Sequence, residues 1–436
     1  PFLMRRVAAC AVAAGLAVGT LSCSQDGQKR QVFSWGLGLH GQLGHGDSRR
    51  EQTPRGVAAL RDDIKIVAAG GQSSAALTSD GHLLTWGCGQ DGRLGLGSTR
   101  DANQSCPSRV EVDGNVTSVS VGEFHMAALL DNGGVVTWGR GWQGQLGLGK
   151  KEKQQNAPVR VDALAGVKAV GVSCGRQHTA VLSDDGHVWT FGSGFEGQLG
   201  QNSKADVPTP CVIQGLDRVV QVDCGRDFTV AVDDKGRVFS CGADDYGQLG
   251  QGRVSRYCRT PAEIKPLVGA KIVQVAAGEY HCLARSDDGK VFSWGYAKDG
   301  QLGNGTTTDQ PVPEVVQVFS KTHIVDVRTR SIIRSSPDLF VLYLTWLADC
   351  MRRLPLCSGH RGRQVADVGS WARGTTWTGQ PCRVPSSLSS APYSRGCAQR
   401  LQSETGGSWS GPHPRRGRVD TTAKSWEHKP TPHRFL

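Results

Sequence analysis

Histidine and cysteine are the residue types in this chain that could transfer protons or hold a metal, so their spacing is the first test for chemistry. His125, His178 and His281 occupy one fixed position in a repeat of about 52 residues. Such recurrence indicates a packing or hydrogen-bonding role, because a catalytic group is needed once rather than in every repeat. No two of the 14 cysteines are spaced as CxxC, the spacing typical of structural zinc sites. The sequence therefore predicts no catalytic residue, no metal and no cofactor.

The cysteines instead indicate the compartment. Six of them lie in or beside apolar segments that are predicted to be strands: Cys88, Cys174, Cys211, Cys224, Cys241 and Cys282. Reduced cysteine behaves as a small buried apolar residue and is typical of the cytoplasm and the nucleus. An intracellular protein, cytoplasmic or nuclear, is predicted.

Two strings recur along the chain and must position any functional side chain. The first is an aromatic residue, Gly, four variable residues and Gly-Gln-Leu-Gly. Its aromatic position falls at Trp35, Trp86, Trp138, Phe191, Cys241 and Trp294, the fifth copy having cysteine. The second copy has Arg93 in place of Gln. The second string reads V-x-x-G, then an apolar pair, then Asp-Gly or a near equivalent, and its copies start at Val67, Val119, Val172, Val222 and Val275.

These strings predict an all-β fold made of short strands. Segments such as His187–Phe191 and Val291–Trp294 are β-branched or aromatic and bounded by glycine, as strands are. Asp-Gly pairs between them predict hairpin turns, and the leucine of Gly-Gln-Leu-Gly is expected to fill the core. Four strands per repeat predict a β-propeller of four-stranded blades. Six repeats are recognisable within a propeller domain at residues 7–330, and a seventh is truncated.

The same strings resemble the repeats of the regulator of chromosome condensation family. Val172–Thr179 is close to the first half of that family's repeat, and Trp294–Gly303 is close to the second half. The resemblance covers about three quarters of the chain and implies a seven-bladed propeller. Kelch propellers require a Gly-Gly doublet with set Tyr and Trp positions, a combination that is missing here, and WD-type repeats are shorter, at roughly 40–45 residues.

Both ends of the chain depart from the pattern. Residues 4–23 carry a basic start and an apolar stretch like a signal peptide, which would imply secretion. Yet Val12–Gly15 repeats the later V-A-A-G string, which favours a degenerate first repeat. At the other end Val325–Val327 lies at the spacing expected for the start of a seventh repeat, but Arg330 occupies the position where the repeat has glycine. Residues 331–436 are interpreted as an irregular tail, either disordered or not native coding sequence.

Charge argues against nucleic acid as a partner of the propeller. The net charge is +11, with 50 Lys and Arg against 39 Asp and Glu. Residues 331–436 contain 15 against 6, which leaves 35 against 33 in residues 1–330. A DNA-binding surface concentrates Lys and Arg on the folded domain. A membrane span is not predicted either, because the apolar run at 339–348 is shorter than the roughly 20 residues required.

Function in a propeller is expected on the loops, since the blades are scaffold. The residue pair after the V-x-x-G glycine and the four variable residues before Gly-Gln-Leu-Gly should reach one face. Mixed charge with exposed aromatic residues suits a protein-binding surface. The candidate residues are Glu123, Phe124, Trp142, Arg176, Gln177, Arg226, Asp227, Tyr246, Glu279 and Tyr280.

The resemblance implies several functions. Family members bind proteins through the propeller faces, and this favours an interaction scaffold with a regulatory role. The founding member exchanges guanine nucleotide on a Ran-like small GTPase by means of a β-wedge. Repeats of 50–53 residues leave no room for an obvious wedge here, so exchange is the alternative. The tryptophans that absorb light in a plant ultraviolet-B receptor are replaced, at that position, by Gly71, Glu123, Arg176, Arg226 and Glu279.

Overall fold

The structure is a computed structural model that describes residues 11–13, 16–21, 31–60, 63–97, 102–320, 322–329 and 343–344. Within these ranges it contains six four-stranded antiparallel sheets and one two-stranded sheet. In each sheet the strands lie side by side in chain order. The all-β architecture of four-stranded blades is therefore confirmed, with six complete sheets and a shorter seventh among the described residues.

The strands have the following bounds. The first sheet contains β1 (Ala11–Ala13), β2 (Leu16–Leu21), β3 (Gln31–Gly36) and β4 (Glu51–Gly56). The second contains β5 (Ile64–Ala69), β6 (Ser73–Thr78), β7 (Leu83–Gly87) and β8 (Gln104–Val110). The third contains β9 (Val116–Val121), β10 (His125–Leu130), β11 (Val135–Arg140) and β12 (Gln154–Arg160). The fourth contains β13 (Ala169–Cys174), β14 (His178–Ser183), β15 (Val188–Gly192) and β16 (Val207–Val212).

The remaining elements complete the described part of the chain. The fifth sheet contains β17 (Val219–Cys224), β18 (Phe228–Asp233), β19 (Val238–Ala243) and β20 (Tyr257–Glu263). The sixth contains β21 (Ile272–Ala277), β22 (His281–Ser286), β23 (Val291–Gly295) and β24 (Gln310–Val315). The seventh contains β25 (Val327–Arg328) and β26 (Tyr343–Leu344). Short 3-10 helices lie at Gln90–Gly92, Asp162–Leu164, Lys265–Leu267 and Gln317–Phe319.

Apolar cores lie between neighbouring sheets. Six clusters of buried residues each join one sheet to the next. Trp86, Trp138 and Trp294 are fully buried in them, as expected, whereas Trp35 of the first sheet is only half-buried. The leucine of Gly-Gln-Leu-Gly is buried in all six copies, which confirms its core role: Leu43, Leu94, Leu146, Leu199, Leu249 and Leu302. Full burial of each leucine stabilises the fold by roughly 1.5–3 kcal/mol.

Close backbone approach between sheets explains one of the repeated glycines. The first strands of successive sheets contact one another, and in the second to sixth sheets the fourth strand is the most exposed. At the end of β9, a Cβ added to Gly122 would lie 2.6 Å from the carbonyl oxygen of Gly175 in the next sheet. Real Cβ atoms do not approach so closely, so only glycine fits at this position of V-x-x-G.

Side-chain amides also join the first strands. Gln221 Nε2 donates to the carbonyl of Val275 at 2.8 Å, and its Oε1 accepts from the Val275 N–H at 2.9 Å. Gln274 repeats this pattern with Val327, at 2.9 and 3.2 Å. Val327 is also buried in the cluster shared with the sixth sheet. The start of a seventh repeat, which the spacing predicts, therefore packs as the earlier repeats do.

Some expectations fall on residues outside the described ranges. Arg330 lies outside them, as does the tail at 331–436 apart from the backbone of Tyr343–Leu344. At the other end, residues 11–13 and 16–21 form the first two strands of the first sheet. In the described part of the chain, no helix has the length and apolar character needed to cross a membrane.

Not every cysteine is buried as predicted. Cys88, Cys174, Cys224, Cys241 and Cys282 are buried free thiols, but Cys211 is exposed. Cys211 lies on β16, a fourth strand, whose side chains are not covered by a further strand. Successive side chains of a strand point to opposite faces. The apolar neighbours of Cys211 in sequence therefore face the core, whereas Cys211 itself points away from it.

Candidate partner-binding face

The loops divide between the two ends of the sheets. We call one end the loop face, because it carries the loops that join the first strand to the second and the third to the fourth. Their described residues are 70–72, 122–124, 175–177, 225–227 and 278–280 between first and second strands, and 37–50, 88–97, 102–103, 141–153, 193–206, 244–256 and 296–309 between third and fourth strands. All ten candidate residues lie in these loops, as the sequence predicts. The opposite end, the hairpin face, carries the turns between second and third strands and the links between sheets.

A chain of alternating charges runs across four sheets of the loop face. Glu123 Oε2 lies 3.3 Å from Arg176 Nε, and Arg176 Nη1 lies 3.9 Å from Asp227 Oδ2. Arg226 Nε lies 3.4 Å from the same Asp227 oxygen, and Arg226 Nη1 lies 2.5 Å from Glu279 Oε1. Burial raises the pKa of Asp227, while Arg176 and Arg226 oppose that rise. This ion-pair chain links the loops of neighbouring sheets, and most of the charged side chains of these loops are paired with one another.

Aromatic rings flank the ion-pair chain at both ends. The guanidinium of Arg140 lies 3.9 Å from the ring centre of Phe124 and 4.9 Å from that of Trp142. Asp91 holds the same guanidinium, with Oδ2 2.6 Å from Nη2. Such stacking on a cation contributes about 0.5–2 kcal/mol, so Arg140 and the two rings form one preorganised unit.

Three tyrosines lie at the other end of the chain. Tyr246, Tyr280 and Tyr296 meet edge to face, with ring centres 4.9–6.2 Å apart. Arg226 lies over the Tyr280 ring at 5.1 Å and donates to its hydroxyl. Because the rings fill the space between them, this tyrosine cluster is a packed unit and not an open cage for a cation.

Three of the four candidate aromatic residues are less exposed than predicted, among them Tyr246, which is half-buried in the tyrosine cluster. Phe124 and Tyr280 are half-buried, because Arg140 covers the first and the tyrosine cluster covers the second. Gln177 is half-buried as well, and its carbonyl accepts from Ser193 N at 2.8 Å. Trp142 is exposed, at 47%.

Besides Val254, which is 58% exposed in the 244–256 loop, the structure reveals two apolar tips that sequence reasoning missed. Leu39 and Phe195 are 66% and 60% exposed. Together with Trp142 they occupy the fourth position after the aromatic residue of the repeat, and this position is exposed in all six repeats. The other repeats have Gln90, Asp245 and Lys298 there. The distance of four residues from the aromatic residue is the same in every repeat. The sequence would therefore identify these tips once it is known that the fourth position faces outward.

The recurrent histidines support this face from beneath. His125 Nε2 lies 2.8 Å from Thr179 Oγ1 in the next sheet, and His178 Nε2 lies 3.1 Å from Thr229 Oγ1. Each threonine hydroxyl donates to the carbonyl of a Gly-Gln-Leu-Gly glutamine at 2.8 Å. The threonine oxygen must therefore accept, so the hydrogen of the neutral histidine sits on Nε2. Burial lowers the histidine pKa to about 3 for His125 and about 4 for His178 and His281.

These histidines predict a pH dependence of stability. Their pKa is near 6.5 in the unfolded chain and far lower in the fold, so the unfolded state binds more protons between pH 6.5 and about 4. Stability is therefore complete above pH 6.5 and decreases as pH falls, by about 1 kcal/mol per pH unit for each histidine. Urea denaturation at pH 7.5, 6.0 and 5.0 measures this slope. His178→Gln should flatten the slope, because it removes one buried histidine from the titration; a slope as steep as that of the wild type would contradict the assignment.

Removal of Arg226 is expected to destabilise the loop face. Arg226→Met removes the guanidinium that lies 2.5 Å from Glu279, which is only 7% exposed, and the loss of such a charge-assisted hydrogen bond by a buried group costs about 1–3 kcal/mol. Adding Glu279→Gln should recover part of that loss, because a neutral amide is cheaper to bury. Thermal and urea unfolding measure both variants. Arg218→Met is the matched control, since Arg218 is 71% exposed and 3.8 Å from Asp234; a loss as large there would refute the assignment.

The described residues hold no group of three or more His, Cys, Asp or Glu side chains placed to bind a metal ion. Their polar groups instead face one another in the ion-pair chain. Leu39, Trp142 and Phe195 add exposed apolar side chains to the same face. The arrangement can thus present a rigid contact surface, which is what a protein partner requires.

Comparisons with known proteins cover most of the chain. The sequence model of the RCC1-like domain matches residues 5–333. The ultraviolet-B receptor UVR8 of Arabidopsis thaliana is 34% identical over 306 residues, which are 69% of this chain and 68% of the receptor. The human E3 ubiquitin-protein ligase HERC2 is 35% identical over 290 residues, 66% of this chain but only 5% of the ligase.

Solved structures show the same fold. Human WBSCR16 superposes with a TM-score of 0.67 and 26% identity over 76% of this chain and 86% of its own. Yeast RCC1 (Prp20), in complex with Kap60, superposes with a TM-score of 0.62 and 23% identity over 70% of this chain and 76% of its own. Prp20p of Saccharomyces cerevisiae is described with binding properties to Gsp1p and histones; at this identity the likeness concerns the fold alone.

Proposed function

The chain belongs to the RCC1-like domain family, and from this premise we propose that it is a protein-interaction scaffold with a regulatory role that binds its partner on the loop face. The propeller at residues 7–330 would carry this function, with residues 331–436 as a separate tail. The proposed partner is another protein, in the cytoplasm or nucleus. The free thiols buried in the propeller cores support an intracellular setting.

The observation that carries the proposal is the set of three exposed apolar tips, Leu39, Trp142 and Phe195. Large apolar side chains held outward on one face are typical of protein contact sites. Tryptophan is among the residues that most often dominate binding energy. The loops that hold these tips come from three different sheets, so a flat or convex protein surface would meet all of them.

The tips are also held rigidly. In the Trp142 loop, Gly144 N donates to the Gly141 carbonyl at 2.9 Å, and Gln143 N donates to Gln145 Oε1 at 3.0 Å. In the Phe195 loop, Glu196 N donates to Gln198 Oε1 at 2.9 Å. A loop already ordered in the free protein loses little entropy on binding. The glutamine of Gly-Gln-Leu-Gly thus has a role beyond the core, since its amide closes the loop that carries the tip.

Comparative affinity capture tests the proposal. The full chain, a Trp142→Ala/Phe195→Ala variant and a Val268→Ala/Val318→Ala variant would be used to capture proteins from cell lysate, with quantification by mass spectrometry. Val268 and Val318 are exposed apolar residues at 71% and 69%, and they lie on the hairpin face. We expect a group of proteins that is lost with the first variant and kept with the second. Loss from both variants, or from neither, would refute the proposal.

The same experiment decides between a scaffold and an exchange factor. Lysate is supplied with GDP-loaded and with nucleotide-free small GTPases. Enrichment of a nucleotide-free Ran-like GTPase, followed by faster GDP release in the presence of the chain, would replace the scaffold with a guanine-nucleotide exchange factor. Recovery of other proteins without a GTPase supports the scaffold.

A further inference from the structure

We propose that a cleft on the hairpin face binds the C-terminal carboxylate of an aliphatic residue in a partner protein. The cleft lies in the third sheet, between the turn at 131–134 and the 3-10 helix Asp162–Leu164. Its volume is about 180 Å³. That is below the roughly 300–1,000 Å³ of sites for drug-sized ligands, so the cleft would hold one side chain with its carboxylate.

The cleft exists because of one glycine. The residue after the turn glycine has a long or ring-bearing side chain in four other repeats: His82, His187, Arg237 and Lys290. In the third repeat this residue is Gly134, which lines the cleft. The space that those side chains cover elsewhere is therefore open here.

The charge of this turn differs from that of its equivalents as well. In the other four repeats this side chain pairs with a nearby carboxylate at 2.7–3.0 Å. In the fifth repeat the carboxylate is Asp233. In the other three it is the aspartate just before the turn glycine, as in the pair of Lys290 with Asp288. The third repeat has Asn132 in place of that aspartate, and Asn132 Oδ1 accepts from Gly134 N at 2.9 Å. The turn thus lacks both the basic side chain and the carboxylate that pairs with it in the second, fourth and sixth repeats.

Arg160 and Lys168 supply positive charge at the rim. A Cβ on Gly134 would lie 3.4 Å from Arg160 Nη2, so the guanidinium stands directly beside the open space. The side chain of Arg160 makes no hydrogen bond or ion pair within the described ranges; its backbone pairs with Val136 of β11. Lys168 lies 3.1 Å from Asp184, but this pair is 71% and 44% exposed and therefore weak. The nearby Asp131 accepts from Asn115 Nδ2 at 3.1 Å.

The floor of the cleft is apolar. Val135, Val161 and Leu164 are buried and line it together with Val167. A ligand that fills the cleft must therefore place an aliphatic group on this floor and an anion at the rim. A C-terminal leucine, isoleucine or valine carries both groups on adjacent atoms. An aspartate or glutamate side chain has no aliphatic group beyond its own methylenes, so a chain terminus fits better.

Saturation-transfer NMR on the full chain tests this proposal with three probes. N-acetyl-L-leucine represents a chain terminus, N-acetyl-L-leucinamide lacks the charge, and 4-methylpentanoate lacks the peptide group. We expect N-acetyl-L-leucine to bind at least fivefold more tightly than either of the others. Equal binding of the amide would overturn the role of the carboxylate. Equal or tighter binding of 4-methylpentanoate would overturn the assignment to a protein terminus in favour of a small free acid.

Variants locate the site. Gly134→His introduces the residue that the second and fourth repeats have at this position, and Arg160→Gln removes the rim charge. Both should reduce binding of N-acetyl-L-leucine at least fivefold. Arg109→Gln is the matched control, because Arg109 occupies the equivalent strand position in the second sheet and pairs with Glu111 at 3.4 Å. Unchanged binding in Gly134→His and Arg160→Gln, or an equal loss in Arg109→Gln, would overturn the proposal.

Discussion

Trp142→Ala is expected to weaken the affinity of the loop face for its partner by ten- to a hundredfold. The indole is 47% exposed and stacks on Arg140, which Asp91 holds in place. The indole therefore offers a large apolar area and loses little side-chain conformational entropy when a partner binds. Truncation of such an anchor costs about 1.4–2.8 kcal/mol, which corresponds to that range of affinity.

Calorimetric titration of the captured partner with wild-type and variant chains measures this effect. Val268→Ala is the control, since Val268 is an exposed apolar residue on the hairpin face. Unfolding of Val268→Ala should match the wild type within about 0.5 kcal/mol, because its side chain lies at the surface. Trp142→Ala should lose at most the stacking on Arg140, about 0.5–2 kcal/mol, and remain folded. A change in affinity of less than threefold for Trp142→Ala would remove this residue from the contact.

The second large effect concerns stability. Trp294→Ala should lower the free energy of unfolding by about 3–5 kcal/mol, the usual cost of emptying the site of a buried aromatic residue. Trp294 is fully buried between the fifth and sixth sheets. Its Nε1 donates to the Gln248 carbonyl at 3.0 Å, and Gly250, with φ of +68°, packs so closely that an added Cβ would lie 2.8 Å from this nitrogen. The variant therefore loses packing and a hydrogen bond together.

The chain supplies its own control for this prediction. Phe191 occupies the same position in the fourth sheet and is fully buried there. Trp294→Phe should thus cost only about 1–2 kcal/mol, mainly for the lost hydrogen bond and the smaller ring. Urea denaturation of the three chains gives the comparison. An equal loss in both variants would show that the ring fills no specific space.

Much of the fold could be predicted because the repeat fixes it. The strand lengths, the hairpins and the buried leucines follow from two strings at constant spacing, and neighbouring sheets impose the same contacts each time. The histidine role also follows, since His125 and His178 meet a threonine one repeat later. Trp35 is an exception: it occupies the same repeat position as Trp138, but only Trp138 is fully buried.

The candidate face could be predicted in outline but not in its details. Consecutive repeats carry Glu123, Arg176, Arg226 and Glu279 at one position, and this order of charges hints at pairing between sheets. Which side chains are covered depends on contacts across the face, as when Arg140 lies over Phe124. Leu39 and Phe195 were missed because a string of four variable residues does not reveal which one faces outward. Gly134 was missed because the effect of an absent side chain appears only beside its neighbours.

Hydrogen exchange measured by mass spectrometry, on the full chain with and without its captured partner, tests the central claim most directly. We expect exchange to slow in the loop-face segments 37–46, 141–147 and 193–200, which hold Leu39, Trp142 and Phe195. The hairpin turns at 79–82, 184–187 and 287–290 should exchange at the same rate in both samples. Protection confined to those turns, with the loop-face segments unchanged, would contradict partner binding on the loop face.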